Sequence, residues 1–335
     1  MFCNGSPAQT IAGYTYYNLT INKSACTTTV TSSVKAFTVI NNLTVTNGDL
    51  VLAADDADYR VLNFTVSYTN EVIFGTVSHN VVWGYHAVVI TGNLTVDGQW
   101  IAVNPSFIKM HAPTGTSVQT LRTGDNFPTS SLGGLLIETE GNAAPGGTFN
   151  LSGTLRAFKE SYVPYLSTGS LHLNGYHAIF SGDFLWNMSG GSVYIDAGTG
   201  GSSPVLDVTA HIEFDGAGHL SAGTFNVGDY LDIEAGGSLT CTNTPAINIG
   251  GTWFNNNSTS AFTAAGSTIN FNGGFQSIGG SASTTFNHLV VKPGSTTSLS
   301  SGNCTVNGNL TIESGGTFTN EGLVILKGNL INLNP

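Results

Sequence analysis

The sequence predicts an all-β chain wound as one elongated parallel β-solenoid, and three observations predict it. Composition is the first. Only 9% of the 335 residues are charged while 40% are hydrophobic, and Gly occurs 43 times. Thr, Ser, Asn, Gly and Val dominate, a mixture that favours short strands and tight turns over helices. The second is a short unit that recurs: NLTI at Asn18, NLTV at Asn42 and Asn93, NLTI at Asn309, and a near relative, NFTV, at Asn63. Asn18, Asn42 and Asn63 are spaced 24 and 21 residues apart, and a period in the twenties is the signature of a solenoid. The third is a longer phrase built on Gln, a small residue and Ile or Leu. It occurs at Gln9 (AQTIAG), Gln119 (VQTLRTG) and Gln276 (FQSIGG).

The elements follow in chain order. Residues 2–96 form the first regular stretch. In each NLT unit the alternation has period two, so Leu19 and Ile21 point one way while Asn18 and Thr20 point the other. Leu43 with Val45, and Leu94 with Val96, repeat the pattern. In a solenoid the apolar row is buried and equivalent residues stack from turn to turn. Gln9, Asn18, Asn42, Asn93, Gln119, Gln276 and Asn309 are therefore expected to be rungs of polar ladders. A trace of the phrase returns at Gln119. The middle, 145–254, keeps short Gly-bounded strands but loses the phrase. It reads as a less regular part of the same solenoid, with a separate β-sandwich as the alternative. The second regular stretch covers 266–332, and its start aligns with the chain's beginning from Phe271 as against Phe2. Corners such as AGGSL, SGGSV and GNLTV supply Gly for the bends. The crossovers are expected to be right-handed, as parallel connections usually are.

The pattern FNG…QTI-G…YYNLTI…NLTV resembles the β-solenoid repeat regions of very large, adhesin-like secreted surface proteins of Bacteroidota. The likeness covers Phe2 to about Val96 and Gly266 to Asn332. It implies a type IX secreted protein at the cell surface, and in that family a sorting domain stands at the far C-terminus. Here the chain opens at Phe2 and stops at GNLINLNP in mid-repeat, which leads to the expectation of a piece of a longer array. Ends without a capping helix are expected to pair with neighbouring repeats or with identical subunits.

Charge excludes several classes of function. Twenty acids against nine bases give a net charge of −11, and no Lys or Arg lies between Glu160 and Val291. That balance leaves no basic surface for nucleic acid or for an anionic membrane. No apolar run reaches the ~20 residues of a membrane span. The start MFCNGSPAQ lacks the basic and apolar regions of a secretory signal.

Candidate chemistry is sparse. Polysaccharide-cleaving β-helices need close carboxylates. Acids gather here at Asp207, Glu213, Asp215, Asp229, Asp232 and Glu234, with Glu213 and Asp215 on one strand face and Asp232 and Glu234 on another. An outward face that is merely acidic gives the same pattern. Asp55, Asp56 and Asp58 in AADDADYR are weak Ca²⁺ candidates that match neither an EF-hand nor a Ca²⁺-binding β-roll; no other cofactor is implied. The eight His have no metal-ligand spacing. Trp83, Tyr85, Trp100, Trp186 and Tyr194, with Trp253, are aromatics that could stack on a sugar, though most large aromatics are core. Cys3 and Cys26 lie 23 residues apart, close to one turn. Adjacent turns are ~4.8 Å apart, within disulfide reach, so a Cys3–Cys26 bridge is expected. Cys241 and Cys304 are expected to be free or buried.

The sequence therefore reads as a non-catalytic extracellular structural or adhesive module, a stalk, spacer or fibre-forming segment. The alternative is a carbohydrate-binding or polysaccharide-degrading β-helix.

Overall fold

The computed structural model describes residues 2–3, 9–22, 29–32, 36–47, 49–52, 59–66, 71–74, 87–97, 99–102, 106–112, 117–123, 133–139, 147–158, 169–181, 184–186, 191–198, 203–300 and 302–335. Among them every regular element is a strand, the strands pair in parallel, and none forms a helix. The fold is a β-solenoid, and the chain divides into two compact units, Met1–Pro164 and Tyr165–Pro335.

In the first unit three long strands, Thr15–Asn22, Thr38–Asn47 and Tyr59–Val66, lie in parallel. Their register breaks at Tyr16/Asn18 and again at Val39/Asn42. An irregularity of this kind bends a strand, so each strand serves two columns. The arm beyond the break carries Leu19, Leu43, Phe64, Leu94 and Leu121 in direct register, and Leu151 follows Leu121. All six are buried. The arm before it runs through Val61, Ile90 and Met110. A further sheet stacks Gln9–Ile11, Thr29–Ser32, Asp49–Leu52, Glu71–Phe74 and Gln99–Ala102.

In the second unit each coil lays short strands on three faces. One complete coil is Ala217–Leu220, Thr224–Val227 and Leu231–Ile233; the next is Ser238–Cys241, Ala246–Ile249 and Trp253–Asn255. The Gln phrase is absent from these coils, yet their register is unbroken. Burial alternates with period two, and the inward row of one face is Leu206, Phe225, Ile247, Ile269, Leu289 and Leu310. Trp253 and Phe286 pack edge to face at 5.1 Å, and the Trp253 indole N–H donates to Thr284 Oγ1 at 3.2 Å. Trp253 is thus a core residue, fully buried.

Corners follow from Gly. In Glu234–Gly237 the Gly237 amide donates to the Glu234 carbonyl at 2.9 Å, and Gly236 takes φ +98° at the third position, as a type II turn requires. A Cβ on Gly237 would stand 1.7 Å from the Phe214 carbonyl oxygen of the preceding coil. Lys292-Pro293-Gly294-Ser295 closes the same way, with Pro at the second position and Gly294 at φ +77°.

Candidate functional site

The outward rows of the second unit carry ionisable and amide side chains, and many of these are joined to one another across coils. On one face Asp207, Asn226, Asn248 and Asn270 are in register. A carboxylate only accepts, so Asp207 sets the direction of the whole row. Asn226 Nδ2 donates to Asp207 Oδ1 at 2.5 Å, Asn248 Nδ2 to Asn226 Oδ1 at 2.6 Å, and Asn270 Nδ2 to Asn248 Oδ1 at 2.8 Å. His177 Nε2 lies 2.7 Å from Asp207 Oδ2. The amide dipoles thus align with their positive ends toward the carboxylate, an arrangement in which each bond polarises the next.

On a second face the rings of His172, Tyr194 and His219 stack, with centroids 4.3 and 4.5 Å apart and planes within 9° of parallel. His172 Nδ1 lies 2.6 Å from Asp196 Oδ2. Burial, and secondarily the charge of His172, lowers the pKa of His219. Asp196 is shifted below the usual carboxylate value: burial opposes that shift, and the His172 contact with the Asn174 amide outweighs it. Both faces of the Tyr194 ring are covered, so it has no open face for a sugar.

The third face carries the acids. Glu213 and Asp232 are register partners on adjacent coils, and Phe254 follows Asp232 on the next. Asp215 and Glu234 stand one step outside the strands beside them. Asp232 is 7% exposed, and Asn256 Nδ2 lies 2.9 Å from each of its carboxyl oxygens. Burial first, then the charge and the hydrogen-bonded carboxyl of Glu234, push the Asp232 carboxyl up to about 7. Burial and the charges of Glu234 and Glu213 raise Asp215 as well. Tyr230 donates to Glu213 Oε1 at 3.0 Å while stacking on His211 at 4.3 Å. Four carboxyls therefore share one face, with Asp232 the most deeply buried of them. No Lys or Arg lies in the surrounding sequence, from Glu160 to Val291.

The other expected residues fall as follows. Asn18 Oδ1 accepts from Asn41 Nδ2 and from the Asn42 amide at 3.0 and 3.2 Å. Asn42 Oδ1 accepts from Asn63 Nδ2 at 3.0 Å, and Asn63 Oδ1 from the Asn93 amide at 3.0 Å. Asn93 Oδ1 accepts from the Thr120 amide and hydroxyl at 2.8 and 3.0 Å. Asn309 Oδ1 likewise accepts from the amide and side chain of Asn329. The glutamines lie inward, and Gln276 is bonded across coils as well, its Oε1 accepting from its register partner Thr297 at 3.2 Å. Gln119 and Gln276 are buried on the same face as Leu121 and Ile278, and they donate to the carbonyls of His111 and Ile249 at 3.1 and 3.2 Å. Gln9 shares the face of Ile11, and its register partner is Val30. Trp83, Tyr85, Asp55, Asp56, Asp58 and Cys26 lie outside the described residues, as do the side chains of Cys3, Trp100 and Trp186. Cys241 and Cys304 are buried free thiols. Among the described residues no group of three or more His, Cys, Asp or Glu is arranged to hold a metal ion.

Sequence reasoning passed over the His172–Tyr194–His219 stack and the support of Asp232 by Asn256. The signal was present, since His172, Tyr194 and His219 recur at the coil period, but it appears only once residues are aligned turn by turn. Comparison with known proteins found no match: no family model, no curated protein and no solved structure is significantly similar to the chain.

Proposed function

We propose that the chain is a non-catalytic structural and adhesive module of the extracellular surface, a stalk, spacer or fibre-forming segment of a larger surface protein. One observation carries this reading. The outward polar side chains, which in an enzyme would face a substrate, are largely bonded to one another from coil to coil, as in the Asp207–Asn270 row. Such rows stiffen a rod and leave few groups for chemistry. Its partner in this reading is a further coil of the same kind. The outermost described coil leaves Leu323, Ile325, Leu330 and Leu333 exposed, an apolar strand edge suited to parallel extension.

The acid face favours a second reading, a β-helix that binds or cleaves polysaccharide, because Glu213, Asp215, Asp232 and Glu234 share one side with Tyr230. Incubating the purified chain with acidic and neutral polysaccharides separates the two. The structural reading expects no new reducing ends and no unsaturated products. Product release that disappears in Glu234→Gln would replace it with the second reading.

A further inference from the structure

We propose that the pair Asn272 and Gly273 is a site of spontaneous covalent modification: the Asn272 amide converts to a carboxylate there, and Lys292 of the following coil receives the new charge. An Asn followed by Gly can cyclise, because Gly offers a main-chain nitrogen with no side chain beside it. The Gly nitrogen attacks the Asn Cγ. A bond forms between them, the Cγ–Nδ2 bond breaks, and the amide proton leaves with the amino group as ammonia. Water then opens the five-membered imide at either carbonyl, giving aspartate or its isomer linked through the side chain. Water is the co-reactant, and nothing is oxidised or reduced.

Three Asn-Gly pairs lie wholly within the described residues, at Asn174, Asn272 and Asn307. They differ in what their glycine nitrogens do. The Gly175 amide donates to the Asp196 carbonyl at 2.8 Å, and the Gly308 amide to the Asn287 carbonyl at 2.7 Å, in each case on a neighbouring coil. An amide held in this way must give up its bond before it can attack, so it reacts through local opening. The Gly273 amide has no hydrogen bond among the described residues, and neither has the Asn272 side chain, which is exposed. The pair stands at the corner between Thr268–Phe271 and Phe275–Gly279. A Cβ on Gly273 would lie 1.7 Å from the Gly250 carbonyl oxygen of the coil below. Close stacking of the corner therefore demands the same glycine that makes Asn272 reactive.

The product has a partner in place. Phe271 and Val291 are register partners, and the Lys292 amide donates to the Phe271 carbonyl at 2.9 Å. Asn272 and Lys292 are thus neighbours on adjacent coils, with a stacking distance of ~4.8 Å. The Glu313 amide repeats the step by donating to the Val291 carbonyl at 3.0 Å, and Lys292 Nζ reaches Glu313 Oε1 at 2.7 Å. Lys292 has an acid on one side and a neutral amide on the other. A carboxylate at position 272 completes a row of acid, base and acid over three coils, and ion pairs joined in a network contribute more than isolated ones.

Incubating the folded full chain at pH 8.5 in water enriched in oxygen-18, with peptide mapping by mass spectrometry, tests the site. Heavy oxygen enters where hydrolysis occurs, so it counts conversion at each Asn. Label should accumulate at position 272 at least about fivefold faster than at positions 174 and 307, the factor that corresponds to one hydrogen bond of ~1 kcal/mol. In urea, where all three glycine amides are released, the rates should converge. Equal rates in the folded chain, or faster label at 174 or 307, overturn the site. The partner is tested by Asn272→Asp and Lys292→Met, singly and together. Asn272→Asp should raise Tm at low salt, and the gain should vanish in chains carrying Lys292→Met. No gain, or a gain that survives Lys292→Met, overturns the pairing.

Discussion

Asn248 illustrates what a single outward side chain does in this fold. It accepts from Asn270 on one side and donates to Asn226 on the other, and the direction of both bonds is imposed by Asp207 two coils away. Asn248→Ala should cost about 1 kcal/mol, the net worth of a hydrogen bond. Asn248→Asp should cost more at neutral pH, because it removes the donor that Asn226 needs and sets a charge against an acceptor. Protonating the new carboxyl restores a donor, so this excess should shrink in acid; urea unfolding at pH 7 and pH 4 checks both points. On the inner side, Ile247→Ala should cost about 2–5 kcal/mol, since Ile247 is fully buried between Phe225 and Ile269. The Asn rungs were legible because Asn-Leu-Thr repeats at the coil period with period-two alternation inside it. Gln119 and Gln276 sit two residues before an inward Leu or Ile and so point inside, where each donates to a backbone carbonyl and Gln276 also accepts from Thr297 of the next coil. Period two carries that placement, since each Gln shares the face of the residue two positions on.

Strands and corners carry the next level. Corner glycines differ in what they tolerate. Gly237→Ala drives a Cβ into the carbonyl of Phe214 on the adjacent coil, so the backbone itself must move, and a loss of several kcal/mol is expected. Gly236→Ala meets little crowding but is strained at φ +98°, at a cost of about 1–3 kcal/mol. Gly274 has open space and no left-handed φ, so Gly274→Ala should be neutral or stabilising by up to ~1 kcal/mol. Thermal melts of the three variants should fall in that order. These corners were readable, because GG and PG pairs between apolar-alternating runs specify type II geometry. The bend shared by the long strands of the first unit was not. It depends on a register shift at Asn18 and Asn42, and the continuous apolar pattern of TYYNLTI hides it.

At the scale of the molecule, composition and period led to the solenoid because every coil repeats the same solution: an inward apolar row, an outward polar row, and Gly where the chain turns. What the sequence could not reveal is which acids meet. Glu213 and Asp232 are 19 residues apart, and only the coil register makes them neighbours. The buried thiols report on how firmly coils hold together. Burial pushes Cys241 and Cys304 up to about 12, so neither thiol should react with an alkylating reagent at pH 8 in the folded chain. Both should react once urea unfolds the coils, and mass spectrometry of the labelled chain would locate any coil that opens early. The central claim is that outward side chains bind coil to coil. A double-mutant cycle on Asn226→Ala and Asn248→Ala, read by native-state hydrogen exchange of the strands Thr224–Val227 and Ala246–Ile249, tests it most directly. The account predicts a favourable coupling of about 0.5–1 kcal/mol between the two side chains. Strictly additive effects, or none, would contradict it.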